Sequence, residues 1–239
     1  MKVEIWSDVV CPWCYIGKRH FEAAVAEFGD RDELTCVWRS FQLDPSAPAQ
    51  TEGDPVDRLA TKYGMSRADA EAAQARVTAA AADAGLEFHL ERARSGNTLD
   101  AHRLLHHAAT VQKQDVLKER FMAAYFTEGA AIADHAVLVG LAGEVGVDVA
   151  AAQAVLDGDE FATEVRNDIR HAQELGIRGV PYFVIDSRFG ISGAQPAELL
   201  LQALRKAHAS APLIETVAPV AAEGACEDDN WVAQPPRKM

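Results

Sequence analysis

The sequence predicts an α/β fold in which strands bracket a long all-helical insertion. Three observations carry this expectation. β-type patterning stands near the start of the chain and returns around residue 181, with helical periodicity over more than a hundred residues in between. A polar stretch at 44–55 holding Pro45, Pro48 and Pro55 marks the passage from the first pattern to the second. A close pair of cysteines, Cys11 and Cys14, falls at the junction of the first strand and the first helix.

The elements follow in order. Residues 3–7 read as a strand through Val3, Ile5 and Trp6. From Pro12, the apolar positions Ile16, Phe21, Ala24, Val25 and Phe28 recur at helical spacing until Gly29 and Asp30 stop them. Residues 34–43 form a second strand ended by Asp44-Pro45. Helices are expected at 56–63, 66–84, 98–111, 113–127, 135–145, 149–156 and 160–175, several behind a capping residue: Ser66, Asn97 or Thr98, Asp134, Asp148 and Asp159. Strands return at 181–186 and 189–192, and a helix at 196–208 buries Leu199, Leu200, Ala203 and Leu204. The boundaries expected are thus 1–53 plus 176–209 for the strand-bearing domain, 54–175 for the helical insertion and 210–239 for an acidic, Pro- and Ala-rich tail.

Composition bounds the function. The 239 residues carry 23 Lys and Arg against 36 Asp and Glu, a net charge of −13, which opposes binding to nucleic acid or anionic membranes, and no basic patch offsets it. The amino terminus lacks a signal-type apolar core and no stretch is long enough to span a bilayer, so a soluble, cytoplasmic protein is expected. Four cysteines, two close together and two alone (Cys36 and Cys226), do not make a secreted disulfide framework.

The placement of Cys11-Pro12-Trp13-Cys14 is chemical. At a helix amino terminus the free N–H groups and the dipole favour a thiolate, so Cys11 is expected to ionise below the free value of ~8.5 and act as nucleophile. Pro12 occupies the first helical position, where its missing N–H costs nothing. Cys14, one turn on and more buried, is the resolving thiol. Pro12 and Trp13 tune the thiolate and border the substrate. The alternative, half of a zinc site, lacks a second close pair; His102 and His106 share a helix face but have no carboxylate placed with them in sequence, so no metal is expected. Pro181, in Gly179-Val180-Pro181-Tyr182-Phe183, opens the returning strand and is either a cis proline or an ordinary strand entry. Cys36 reads as a buried core thiol, and Cys226 as an accessory thiol in the tail or a bystander.

The run Ser7-Asp8-Val9-Val10-Cys11-Pro12-Trp13-Cys14-Tyr15-Ile16-Gly17, followed about 160 residues later by Gly-Val-Pro-Tyr-Phe-Val, resembles the DsbA family of thioredoxin-fold oxidoreductases, most closely its FrnE-like branch. The resemblance spans residues 2–208. It implies a thioredoxin-like fold with an inserted all-helical domain (DsbA-like), Pro181 in cis facing the cysteines, and the backbone of Val180 pairing with substrate. It also implies that Asn97, Thr98 and His102, at the start of an inserted helix, line the substrate cleft. The expected activity is that of a cytosolic thiol-disulfide oxidoreductase or disulfide isomerase with no cofactor beyond the Cys11–Cys14 disulfide. It would act on protein or peptide thiols and disulfides, with glutathione or thioredoxin as redox partner. Two alternatives stand beside it: a glutathione-dependent isomerase of the 2-hydroxychromene-2-carboxylate isomerase or kappa glutathione transferase type, and a redox-linked holdase.

Overall fold

The computed structural model describes residues 1–29, 33–51 and 53–210. Four strands form one sheet in the order β2-β1-β3-β4, with β1 at Lys2–Ser7, β2 at Thr35–Ser40, β3 at Tyr182–Ile185 and β4 at Phe189–Ser192. β1 runs parallel to β2, with Ile5 opposite Trp38, and antiparallel to β3, with Ile5 opposite Phe183. β3 and β4 close as an antiparallel hairpin. A parallel pair needs a crossover connection, and α1 at Pro12–Phe28 supplies it.

All of β1 beyond Lys2 is buried because both sheet faces are covered, and the one charged residue among them, Glu4, is paired. The pleat sends Val3 and Ile5 to one face, where they pack with Phe21 of α1, Phe183 of β3 and Leu200, Leu201 and Leu204 of α9 (Ala197–Ala209). Trp6 points to the other face and packs against Ala172, Ile177 and Val184.

Between β2 and β3 the chain is helical: α2 at Pro55–Tyr63, α3 at Arg67–Asp83, α4 at Leu99–Thr110, α5 at Gln114–Ala123, α6 at His135–Glu144, α7 at Val149–Asp157 and α8 at Ala162–Glu174. Local signals explain most starts. Asp54 accepts from Val56 and Asp57 N–H ahead of Pro55, Ser66 accepts from Asp69 N–H, and Asp134 and Asp148 cap α6 and α7 in the same way. α4 differs: Thr98 makes no cap, and Asn97 Oδ1 instead accepts from Leu99 N–H at 2.9 Å. The helix expected at 113–127 loses α geometry after Ala123 and ends in a π-helical turn at Ala124–Glu128, stopped by Gly129 at φ 73°.

The inserted helices do not pack only on themselves. Their core includes Cys11, Cys14, Tyr15 and Ile16 of the sheet-bearing part. Tyr15 stacks at 6.0 Å on both Phe88 and Phe126, and those two rings stack on each other at 4.5 Å. Tyr15 Oη donates to Glu119 on α5 at 2.6 Å, and Arg19 pairs with the same carboxylate. On the far side of the sheet, Asp168 of α8 is buried and accepts from Arg39 at 3.0 Å and from Ser40 N–H at 2.8 Å, with His106 at 3.1 Å. Arg39 also reaches Glu4, so β1, β2, α4 and α8 share one polar tie.

Cys36 corrects an expectation: it is exposed, not buried. β2 is an edge strand, and it is covered only from Trp38 onward, where Gln114 brackets the Trp38 backbone and Asp168 reaches Ser40. Among the described residues no helix is long and apolar enough to cross a membrane.

Candidate active site at the Cys11-Pro12-Trp13-Cys14 turn

The end of β1 and the start of α1 deliver the cysteines. Cys11 is the N-cap residue of α1, in extended conformation and without a side-chain cap bond, and Pro12 begins the helix. Cys14 N–H closes the turn on the Cys11 carbonyl at 3.0 Å. Both thiols are buried, Cys11 at 3% and Cys14 at 1% exposure, while Trp13 between them is 46% exposed. The turn thus shows solvent the Trp13 indole and keeps both cysteines covered.

Opposite the turn lies the loop before β3. The Cys11 thiol donates to the Val180 carbonyl at 3.5 Å, and the Val180–Pro181 peptide bond is cis. The close approach is possible because residue 17 is glycine: a Cβ there would stand 2.9 Å from Pro181 Cγ. A glycine inside a helix costs about 1 kcal/mol relative to alanine. The motif contained this glycine, and its reason is visible only in the packing.

A cleft of about 1180 Å³ opens over the turn. Val10, Cys11, Pro12 and Trp13 form its floor, Arg178, Gly179 and Val180 one wall, and α2 and α3 the other, through Leu59, Tyr63 and Val77 among others. Of the residues expected to line it, Pro12, Trp13, Val180 and Thr98 do so. Pro181 is buried just behind Val180. Asn97 turns away from the cleft: its amide donates to the Pro45 and Ala47 carbonyls at 3.2 and 3.0 Å and its Oδ1 accepts from Gln42, holding the connecting loop to α4. His102 is fully buried behind Asp8, out of reach of a bound substrate, with Nε2 3.2 Å from Asp8 Oδ1. Cys226 lies outside the described residues.

The electrostatics beneath the turn come from Asp8, which stood inside the motif, from His102, and from Lys118, which sequence patterning did not single out. Asp8 is buried and stays below the ordinary carboxylate range: burial opposes ionisation, but the His102 contact and the N–H of Leu43, at 2.8 Å, outweigh it. Burial lowers His102 despite its acidic partner. Lys118 of α5 is wholly buried, with Nζ 3.4 Å from the Ser7 carbonyl and 5.1 Å from the centre of the Trp38 ring. Burial pulls its amine down to about 8, against the opposing pull of Cys14, Asp8 and Cys11.

The thiols share one charge between them. Burial raises Cys14, but the neighbouring Cys11 thiol, the nearby Ser7 hydroxyl and the Lys118 charge bring it below the usual thiol value. Cys11 is then held well up, first by its closeness to Cys14 and next by burial. This reverses the expectation that Cys11 is the acidified thiol: Cys14 is lowered and Cys11 raised, and the pair loses its protons in two steps that belong to both. His102 and His106, which share a helix face, serve different carboxylates, Asp8 and Asp168. Among the described residues no group of three or more His, Cys, Asp and Glu side chains is placed to hold a metal ion.

Residues 2–205 match the family model described as a DSBA-like thioredoxin domain. A probable DsbA oxidoreductase from Streptomyces coelicolor is 39% identical, covers 98% of this chain and 100% of its own, and superposes with a TM-score of 0.85. The Bacillus subtilis protein YwbO is 29% identical over 77% of this chain and 86% of its own length. The cytosolic disulfide reductase DsbM from Pseudomonas aeruginosa, solved with GSH, has the same fold at 20% identity and a TM-score of 0.61, over 86% of this chain and all of its own. A mixed four-stranded sheet whose first helix begins at a cysteine pair, and a family model matched along nearly its whole described length, place this chain in the DsbA-like thioredoxin-domain family.

Proposed function

We propose that the protein is a thiol-disulfide oxidoreductase or disulfide isomerase in which Cys11 is the nucleophile and Cys14 the resolving thiol. The observation that carries this reading is the pairing of the two thiols at the start of α1, with Cys11 bonded to the Val180 carbonyl on the floor of an open cleft. Cys11 Sγ passes its proton to Cys14 and attacks a substrate disulfide as the thiolate; the leaving substrate sulfur takes that proton away, and a mixed disulfide and a Cys14 thiolate remain. Cys14 then attacks Cys11 Sγ, forming the Cys11–Cys14 bond and releasing the second substrate sulfur. The reaction balances with no cofactor other than that disulfide.

Protein or peptide substrates fit the cleft better than a small thiol alone, since it runs from the cysteines to Tyr63 at the end of α2 and Met65 in the α2–α3 connection. Among the described residues the Val180 N–H finds no acceptor, and it is the group we assign to pairing with substrate backbone. Glutathione or thioredoxin is the proposed redox partner and the cytosol the proposed setting; the glutathione held by DsbM and that protein's cytosolic description support both. Reduction or isomerisation of unwanted disulfides is the net task we assign. Insulin reduction with a thiol donor tests the reading: Cys11→Ser should abolish turnover and Cys14→Ser should trap mixed disulfides. Full activity in Cys11→Ser would remove Cys11 from the mechanism.

A further inference from the structure

Lys118 poses a problem that the reaction so far leaves unused. Its ammonium is fully buried in α5, yet among the described residues no carboxylate stands within ion-pair distance of it. Among the described residues its one direct polar bond is the 3.4 Å contact to the Ser7 carbonyl, with the Trp38 ring face beside it. The neighbouring Lys18 is handled differently, since Glu22, Asp115 and Glu119 all pair with it. An isolated buried charge costs several kcal/mol, and methionine would fill the same volume without that cost.

The surroundings show what meets the charge. From α1 it faces Cys14, Cys11 and Lys18; from the β1–α1 turn, Asp8; from β2, Cys36 and the Trp38 ring; and from α4, His102, itself paired to Asp8. On its own helix Asp115 is taken up by Trp38 Nε1 at 2.8 Å and by Lys18. Asp8 is shared with His102 and Leu43 N–H. The redox pair is the remaining anionic partner.

We propose that Lys118 is a positioning residue for the resolving step: its ammonium stabilises the single negative charge of the reduced pair, holds Cys14 as a thiolate in the mixed disulfide, and gives up its proton when the pair is oxidised. This rests on the reading of Cys11 and Cys14 as a redox couple. In the mixed disulfide the proton resides on Lys118 Nζ and the negative charge on Cys14. Cys14 attacks Cys11 Sγ, the Cys11–substrate bond breaks, and the departing sulfur carries the electron pair away. The buried ammonium has then lost its counter-charge, and its proton passes to the solvent or to the departing thiolate. The inserted helices therefore set the chemistry of the pair as well as the walls of the cleft.

The test follows thiolate absorbance at 240 nm against pH in the reduced protein, with folding monitored by circular dichroism. Lys118→Met should raise the first thiol titration by about one unit or more. The tenfold loss of thiolate stabilisation should make the couple about 30 mV more reducing in a glutathione equilibrium. Lys118→Arg should restore the wild-type titration. Should Lys118→Met not fold, the Lys118 Cε resonance of the unmodified protein, followed against pH, should titrate lower in the oxidised than in the reduced form. An unchanged thiol titration in a folded Lys118→Met, or equal Lys118 midpoints in the two redox states, overturns the proposal. Failure of the wild type to reduce insulin refutes the redox reading instead, and the titration distinguishes the two.

Discussion

Gly17→Ala is the sharpest probe of how the active-site loop is held. In an ordinary helix interior this exchange stabilises by about 1 kcal/mol, because alanine loses less backbone freedom on folding. In α1 the added methyl would stand 2.9 Å from Pro181 Cγ and 3.5 Å from both Ala194 Cα and Cβ. The obstacle is a proline ring and a backbone segment, neither of which swings aside as a long side chain does. Overpacking of this kind costs about 1–3 kcal/mol. Subtracting the helix gain leaves a net loss of about 0–2 kcal/mol, a fall of a few degrees in Tm at roughly 2–4 °C per kcal/mol for a chain of this size. Gly140 of α6 is the control, since a Cβ there meets nothing within 4 Å. Gly140→Ala should gain the full increment of about 1 kcal/mol. Urea midpoints at unchanged m-value give both numbers, and insulin reduction should fall only in Gly17→Ala, where Pro181 and with it Val180 are pushed. If Gly17→Ala stabilises as much as Gly140→Ala, the glycine is not there to admit Pro181.

Two further predictions concern the ties between the sheet and the inserted helices. Asp168→Ala leaves Arg39, Ser40 N–H and His106 without their shared acceptor and should destabilise by about 3–5 kcal/mol, read as a fall in Tm on the order of 10 °C; a change of under about 1 kcal/mol would show the tie to be dispensable. Glu119 is held down at about 2: burial opposes its ionisation, and Arg19, Tyr15 and Lys18 overcome it. A depressed carboxyl contributes stability that is whole above its unfolded value, 4.5, and lost as pH falls toward about 2. With partial exposure discounted, the contribution is about 1–2 kcal/mol, so Glu119→Gln should flatten the stability profile between those pH values in acid titrations followed by tryptophan fluorescence. A profile as steep as wild type would assign the acid sensitivity to other carboxylates.

Much of the fold was legible in the sequence because its signals are local. Alternation in β1, capping at Ser66, Asp134 and Asp148, and the prolines between β2 and α2 all act over a few residues. The end of α5 was not, since nothing in Ala124 to Glu128 marks a change of helical pitch, and the turn is stopped by Gly129 where it meets Arg92. Within the site, Cys11, Cys14 and Val180 follow from the motifs. Lys118 could not be found that way: it is one lysine on a helix of mixed polarity, and only the packing of α5 against the β1–α1 turn brings it under the cysteines. Asp8 stood inside the quoted motif, but its partner is 94 residues away. Asn97 was misplaced for the opposite reason, because its capping signal said nothing of the loop at Pro45 and Ala47 that claims its amide.

The shared core of Cys14, Tyr15, Phe88 and Phe126 bears on modularity. A chain in which the helical part were cut out, or exchanged for that of a distant relative, would leave Cys14 against an ill-fitting wall and remove the buried Lys118 cation. On the proposed reading, specificity and redox behaviour are therefore not separate dials in this architecture. Reshaping the cleft through α2 or α3 is open to engineering, whereas a change reaching α4 or α5 alters the surroundings of the cysteine pair along with the cleft.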